Sequence, residues 1–430
     1  MWTGTLGGAM VRRGRSICRV AAVAGFVVGT AVLPVAAAGA AQSKPARGPR
    51  VGTLLATVHD PVGSIGGDDN EYGGAIAISK TILVVGEDGA NGSLGVTFIY
   101  VEGRSGWPKL PTVTLYDPAQ TFYDLFGESV AISGNTLIVG APGTDSGTGA
   151  AYVYVADARG WPTMPSVTLH GPTARGAFGF SVAISGATAV VGAPDSGSAG
   201  TAYVYARGTS RWPTKPAATL PDPTATAADG FGQAVAVSGN TIIAGASGTS
   251  SAPGSAYVYV NSGSGWSTTP VTTLPDPTAT ADDAFGSAVA VSGTTAAITA
   301  WAGSNGGATY IYSNSGSGWP TTPTTTLQDP AATGGDEFGD SVAVSVDAIV
   351  VGALGTKNAG YGAGAAYIYV KGASGWPTTP TVSLLGAPYM EPGTPAGGSF
   401  GFAAAASGTT AVISAQGYNP GHGAAYIYKT

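Results

Sequence analysis

The 430-residue chain is poor in most of what could organise it through cross-links, metals or charge. One cysteine and three histidines are too few for a disulfide framework or a zinc-built scaffold. Only 10% of the residues are charged, which argues against helical bundles, whose surfaces draw freely on Lys, Glu and Arg. The 69 glycines follow no three-residue period, so a collagen-like rod is excluded. What is plentiful is apolar residue, 44% of the chain, with a mean hydropathy of +0.20. That suffices for a packed core even with 29 prolines. The composition reads as a large, glycine-punctuated all-β protein.

The N-terminus reads as an address. Arg12, Arg13, Arg15 and Arg19 lead into an apolar run from Val20 to Ala41 that ends in Ala38-Gly39-Ala40. Basic, apolar and then small is the order of a secretory signal peptide. The run could also span a bilayer, but Pro34 and the alanine-rich end favour cleavage, and Met10 would serve as well as Met1 as a start. Residues 1–41 are therefore expected to be a signal peptide, 42–50 a short polar linker and 51–430 one folded domain. Cleavage removes Cys18, and it takes four arginines from 18 basic residues, leaving 14 against 24 acids, a net charge near −10. No basic patch suggests nucleic acid. The mature protein is expected to be extracellular, free of the membrane and monomeric.

One unit recurs about every 53 residues, and such a period decides an architecture. Each copy opens on an aromatic-Gly pair: Tyr72-Gly73, Phe126-Gly127, Phe178-Gly179, Phe231-Gly232, Phe285-Gly286, Phe338-Gly339 and Phe400-Gly401. Later comes a Tyr-x-Tyr strand, as at Tyr152/Tyr154 or Tyr367/Tyr369, with Phe98/Tyr100 in the first copy. In one unit, four short β-rich segments stand out at Glu128–Ser133, Thr136–Ala141, Ala150–Val155 and Pro165–Leu169. Four antiparallel strands repeated seven times describe a seven-bladed β-propeller. The chain opens on Thr53–Pro61, which reads as a fourth strand, and ends on Tyr426–Tyr428, a third strand. The N-terminal strand is thus expected to complete the last blade and close the ring.

Phe126-Gly127 followed by Gly140-Ala141-Pro142, and Phe178-Gly179 followed by Gly192-Ala193-Pro194, resemble FG-GAP repeats, which build the seven-bladed head of integrin α subunits and occur in secreted bacterial proteins. The resemblance covers residues 51–430, although the Gly-Ala-Pro slot decays to Gly86-Glu87-Asp88, Gly245-Ala-Ser, Thr299-Ala-Trp, Gly352-Ala-Leu and Ser414-Ala-Gln. Calcium-binding members carry an oxygen-rich loop between the first two strands. Here that connection is a turn such as Ser133-Gly134-Asn135-Thr136, too short and too poor in carboxylates for six or more oxygen ligands. No metal and no cofactor is expected.

Alternate loops of a propeller share a face. The loops from fourth to first and from second to third strands carry nearly all the acids, whereas Arg104, Arg159, Arg207 and Lys371 fall on the other face. Candidate contact residues on the acidic face are Asp124, Asp229, Asp282, Asp283, Asp336 and Glu337, just before the aromatic-Gly pairs, together with Trp301, Tyr361 and the Tyr389-Met390-Glu391 insertion, where the repeats differ. Such a face could steer a cationic partner. The competing reading is structural, since Asp before Pro starts turns and Asp near a loop end caps backbone amides. His59, His170 and His422 lie in unrelated units, and no nucleophile elbow occurs. The reading is a binding or adhesion module, not an enzyme, whose ligand is an extracellular protein. The alternative is a lectin-like propeller using the tryptophans before each fourth strand.

Overall fold

In a computed structural model, the described residues are 19–20, 49–61, 71–197, 199–209, 211–225, 229–302, 306–331, 334–358, 361–386, 399–416 and 423–430. Seven four-stranded antiparallel blades make up the molecule. Blade two runs Ser129–Ser133, Thr136–Ala141, Ala150–Val155 and Val167–His170, from the innermost strand outwards. The other blades repeat this order, and helix among the described residues is confined to two four-residue turns, Ala90–Ser93 and Thr144–Gly147. The innermost strand of every blade lies against that of the next, and the seventh lies against the first. The ring is closed.

Strand Leu54–His59 pairs antiparallel with Ala424–Lys429 and is the outermost strand of blade seven. Closure therefore joins the two ends of the folded chain through backbone hydrogen bonds and leaves no open blade edge there. The strand boundaries agree with the sequence reading except at the outside. The Trp-Pro-Thr-x-Pro stretches precede the outermost strands, which begin only at Val167, Ala218 and Val382. Proline has no N–H for the ladder, so pairing starts beyond it.

Packing is between blades. Inner strands such as Ser129–Ser133 and Ala234–Ser238 are buried along their whole length, and small Ala, Val and Ile side chains let neighbouring sheets approach. In each blade the aromatic before the first glycine meets the first ring of the Tyr-x-Tyr strand, as Phe126 meets Tyr152 at 5.6 Å and Phe400 meets Tyr426 at 5.4 Å. Blade one exchanges the two residues, Tyr72 against Phe98 at 5.6 Å. The tilted or edge-on geometry is the one that ring quadrupoles favour. The tryptophans before the outer strands also belong to the packing. Trp212, Trp319 and Trp376 are buried, and Arg207 and Lys371 lie over two of them at 5.7 and 5.3 Å.

Most of the expected signal segment and linker, residues 1–18 and 21–48, lies outside the described residues, as do Tyr389, Met390 and Glu391. Arg19–Val20 runs parallel to Ser341–Val342 of the innermost strand of blade six. Among the described residues, no helix is long and apolar enough to cross a membrane.

Candidate functional site

The loops that enter each blade from the previous one share one construction. Four of them carry two aspartates seven positions apart: Asp117 and Asp124, Asp222 and Asp229, Asp276 and Asp283, Asp329 and Asp336. All eight are buried. At the entrance to blade five, the Thr278 hydroxyl reaches Asp276 at 2.9 Å and Asp283 at 3.0 Å. The backbone N–H groups of Thr278 and Thr280 donate to Asp276, and that of Phe285 donates to Asp283 at 3.0 Å. Blade four repeats the clasp with Thr224 between Asp222 and Asp229, and Phe231 N–H donates to Asp229 at 3.1 Å. At blade two, Thr121 reaches Asp124 at 2.7 Å while its N–H donates to Asp117. The first aspartate opens the turn as an Asx cap, and in blades four and five the second ends it by capping the amide of the aromatic residue, whereas the Phe126 and Phe338 N–H groups donate to the Leu94 and Gly306 carbonyls.

Two carboxylates held this close in a dry loop oppose each other's ionisation. Burial, and then Asp222, pushes Asp229 up to about 6. Burial also raises Asp283, with the Asp276 charge adding to it against hydrogen bonds that pull the other way. Asp117 rises by burial as well, with Asp124 beside it. The entrance to blade three shows the converse, with Gly171 and Gly176 at the two positions, and the entrance to blade one has Asp60 at the first and Asn70 at the second. Among the described residues, no group of three or more His, Cys, Asp or Glu is placed to hold a metal ion.

The structure sets the sequence-selected residues apart. Asp124, Asp229, Asp283 and Asp336 are buried, and the oxygens of the first three face the loop's own amides and hydroxyls. Glu337 is half-buried, with its carboxyl raised by burial. Asp282 is exposed. Trp301 is half-buried in the neighbouring loop of the same blade, where Ala302 N–H donates to the Asp283 carbonyl. Tyr361 forms a two-residue pairing with Asn358, and its side chain lies outside the described residues. These positions come from four blades and converge on no single centre.

A second regularity was not anticipated from the sequence. The residue one before the aromatic is left-handed at Leu125, Ala177, Gly230, Ala284 and Glu337, and the residue three before it at Tyr123, Arg175, Asp282 and Gly335. Non-glycine residues seldom adopt this conformation. Bonds to the neighbouring loop help hold them, from Leu125 N–H to the Ser93 carbonyl at 3.0 Å and from Ala177 N–H to the Gly147 carbonyl at 2.9 Å, and the aspartate clasp adds to these where it is present. The residue at the third position faces outwards: Tyr123, Arg175 and Asp282 are all exposed. One loop frame thus displays a different side chain at each blade.

A family model described as FG-GAP repeat matches residues 113–154, 168–205, 217–259, 270–312 and 324–369. The chain is an FG-GAP repeat protein. Each matched FG-GAP span begins at the outermost strand of one blade and ends at the third strand of the next. The sequence repeat and the blade are therefore one strand out of step, which is why the chain can begin on a fourth strand and end on a third. The family motif has a packing reason here. A Cβ on Gly140, of the Gly-Ala-Pro element in blade two, would overlap the Gly179 carbonyl of the Phe-Gly element in blade three. Gly192 faces Gly232, and Gly352 faces Gly401, in the same way. Where Thr299 and Ser414 replace the glycine, their hydroxyls accept the N–H of Ala288 at 3.3 Å and of Ala403 at 3.0 Å. No curated protein matches the chain. Among solved structures, a protein of Bacteroides uniformis provisionally assigned as a 6-phosphogluconolactonase aligns with a TM-score of 0.50. The alignment covers 77% of this chain and 88% of that one at 13% identity, a likeness of fold alone.

Proposed function

We propose that this FG-GAP propeller is a secreted, non-catalytic binding module that engages an extracellular ligand through its blade-entrance loops. The observation that carries this reading is the shared left-handed loop frame of blades two, three and five, in which the displayed residue changes from Tyr123 to Arg175 to Asp282. A fixed frame presenting variable side chains is how recognition loops work on rigid scaffolds. The buried aspartates support binding over turnover, because their oxygens are occupied by the loop's own donors. Their burial also keeps these carboxylates from touching a partner directly, which leaves the displayed side chains as the contact surface. Export is supported by the basic-apolar-small order of residues 12–41. The short first hairpin turns support a role without calcium, and the closed ring with its stitched last blade supports a monomer.

Immobilised protein probed in parallel with secreted proteins and with a glycan array tests this reading. Saturable capture of either class, without chemical change to it, is the expected result. Turnover of a captured compound would overturn the non-catalytic assignment, and silence on both arms would overturn the binding role.

A further inference from the structure

The display position of blade two differs from the others. Phe122 and Tyr123 are 71% and 73% exposed, the most exposed large apolar residues among those described. At the equivalent positions the other clasped loops read Ala227-Ala228, Ala281-Asp282 and Gly334-Gly335. The frame therefore forms without aromatic rings, and exposing two of them costs hydration free energy that packing does not recover.

The backbone beside the rings is held in place. Tyr123 sits at a φ of +70°, Gly143 donates its N–H to the Asp124 carbonyl at 3.1 Å, and Leu125 donates to the Ser93 carbonyl at 3.0 Å. Anchoring on both sides lowers the entropy a ligand must remove on binding.

Beside them lies the turn Thr144–Gly147, in which Asp145 and Ser146 are both left-handed. Gly143 packs against the Tyr123 carbonyl, and Gly147 lies against the Cα of Arg175. The turn is tied to blade three by the Ala177 N–H on the Gly147 carbonyl at 2.9 Å. Asp145 and His170, 70% and 63% exposed, approach to 4.0 Å across this junction. The backbone segments that carry two rings, a carboxylate, an imidazole and a guanidinium thus meet at one junction of blades two and three.

We propose that this patch, Phe122, Tyr123, Asp145, His170 and Arg175, is a saccharide-binding site. The inference rests on the binding-module reading and names its ligand class. The C–H face of a pyranose stacks on an exposed ring, and its hydroxyls both donate and accept, which suits a rim holding the acceptor Asp145 and the donors Arg175 and His170. A protein partner fits less well. A stable interface covers about 800 Å² per side around an apolar centre, and apolar exposure on these loops is confined to two adjacent rings among Gln120, Thr121, Asp145 and Ser146.

The test uses the whole protein on an array of neutral and uronic-acid oligosaccharides, followed by calorimetric titration of the best binder. Wild type is expected to bind, and Phe122→Ala/Tyr123→Ala to weaken binding at least tenfold with an unchanged melting temperature. Arg175→Ala should weaken it as well. Val346→Ala, at an exposed apolar residue in the first hairpin turn of blade six, should bind as wild type. Saccharide binding that survives the double substitution would overturn the site and leave the binding role standing. Protein capture without saccharide binding would overturn the ligand class alone. No capture of either kind would overturn both.

Discussion

The Ser407 hydroxyl, at the end of the innermost strand of blade seven, accepts the Lys80 backbone N–H of blade one at 3.1 Å, across 327 positions of chain. The same bond joins sequential blades, from Gly134 to Ser79, Gly186 to Ser133, Gly239 to Ser185 and Gly293 to Ser238. A serine at the end of one inner strand thus clasps the hairpin turn of the next blade, and the pair at the seam closes the circle.

Lys80 occupies a place that is glycine in the sequential pairs, and it does so at a φ of +56°. A left-handed lysine is strained by roughly 1 kcal/mol. Lys80→Gly is therefore expected to stabilise the propeller by about 0.5 kcal/mol once the greater freedom of the unfolded glycine is counted. Ser407→Ala should cost about 1 kcal/mol through the lost acceptor. Denaturant unfolding of the two variants measures both; equal midpoints would contradict the role of the seam.

Gly140→Ala forces a methyl into the Gly179 carbonyl of the next blade and is expected to cost about 3 kcal/mol. Gly134→Ala meets nothing within 4 Å and has only its φ of +58° against it, a cost of about 1 kcal/mol. Thermal unfolding should rank Gly140→Ala well below Gly134→Ala. A reversed order would show that backbone strain, not contact between blades, governs the Gly-Ala-Pro element.

Glu87 stands in blade one where blades two and three have a buried Ala141 or Ala193, and it is itself buried. Burial, then Asp60 and Asp88, pushes its carboxyl up to about 8. A carboxyl raised in the folded state favours folding while protonated, so its contribution is complete below pH 4.5 and disappears as pH rises through 8. At about 1.4 kcal/mol per pH unit, the loss is on the order of 5 kcal/mol. Asp229, raised to about 6, acts in the same direction over a lower window. The melting temperature is expected to fall between pH 5 and pH 8, and Glu87→Gln to flatten that fall. A profile unchanged by Glu87→Gln would place the loss elsewhere.

Tyr72 and Tyr100 share a hydroxyl–hydroxyl bond of 2.8 Å in the buried first blade. The equivalent hydroxyls of Tyr154, Tyr259, Tyr312 and Tyr369 have no hydrogen-bond partner among the described residues. Tyr100→Phe strands the Tyr72 hydroxyl and should cost about 1–3 kcal/mol, whereas Tyr154→Phe removes an unsatisfied group and should be neutral or stabilising. Stability measurements on the two variants decide between these outcomes; similar losses would mean that the Tyr154 hydroxyl contributes as the Tyr100 hydroxyl does and is not an unsatisfied group.

Alternation, turn residues and the aromatic-Gly period are local signals, so the seven blades, their four strands and the closing strand Leu54–His59 were legible from the sequence itself. The offset between Tyr426–Tyr428 at one end and Thr53–Pro61 at the other was enough to predict the stitch. The direction taken by a side chain in a loop was not legible. Leu125, Ala177, Ala284 and Glu337 are not residues that announce a left-handed backbone; the conformation is imposed by the aspartate clasps and by hydrogen bonds to neighbouring loops, such as Leu125 to Ser93 and Ala177 to Gly147. That conformation puts Asp124, Asp229, Asp283 and Asp336 inside and Tyr123, Arg175 and Asp282 outside. The acidic character of the face follows from sequence, but which side chains a ligand can touch is decided by contacts between loops that only the closed ring brings together.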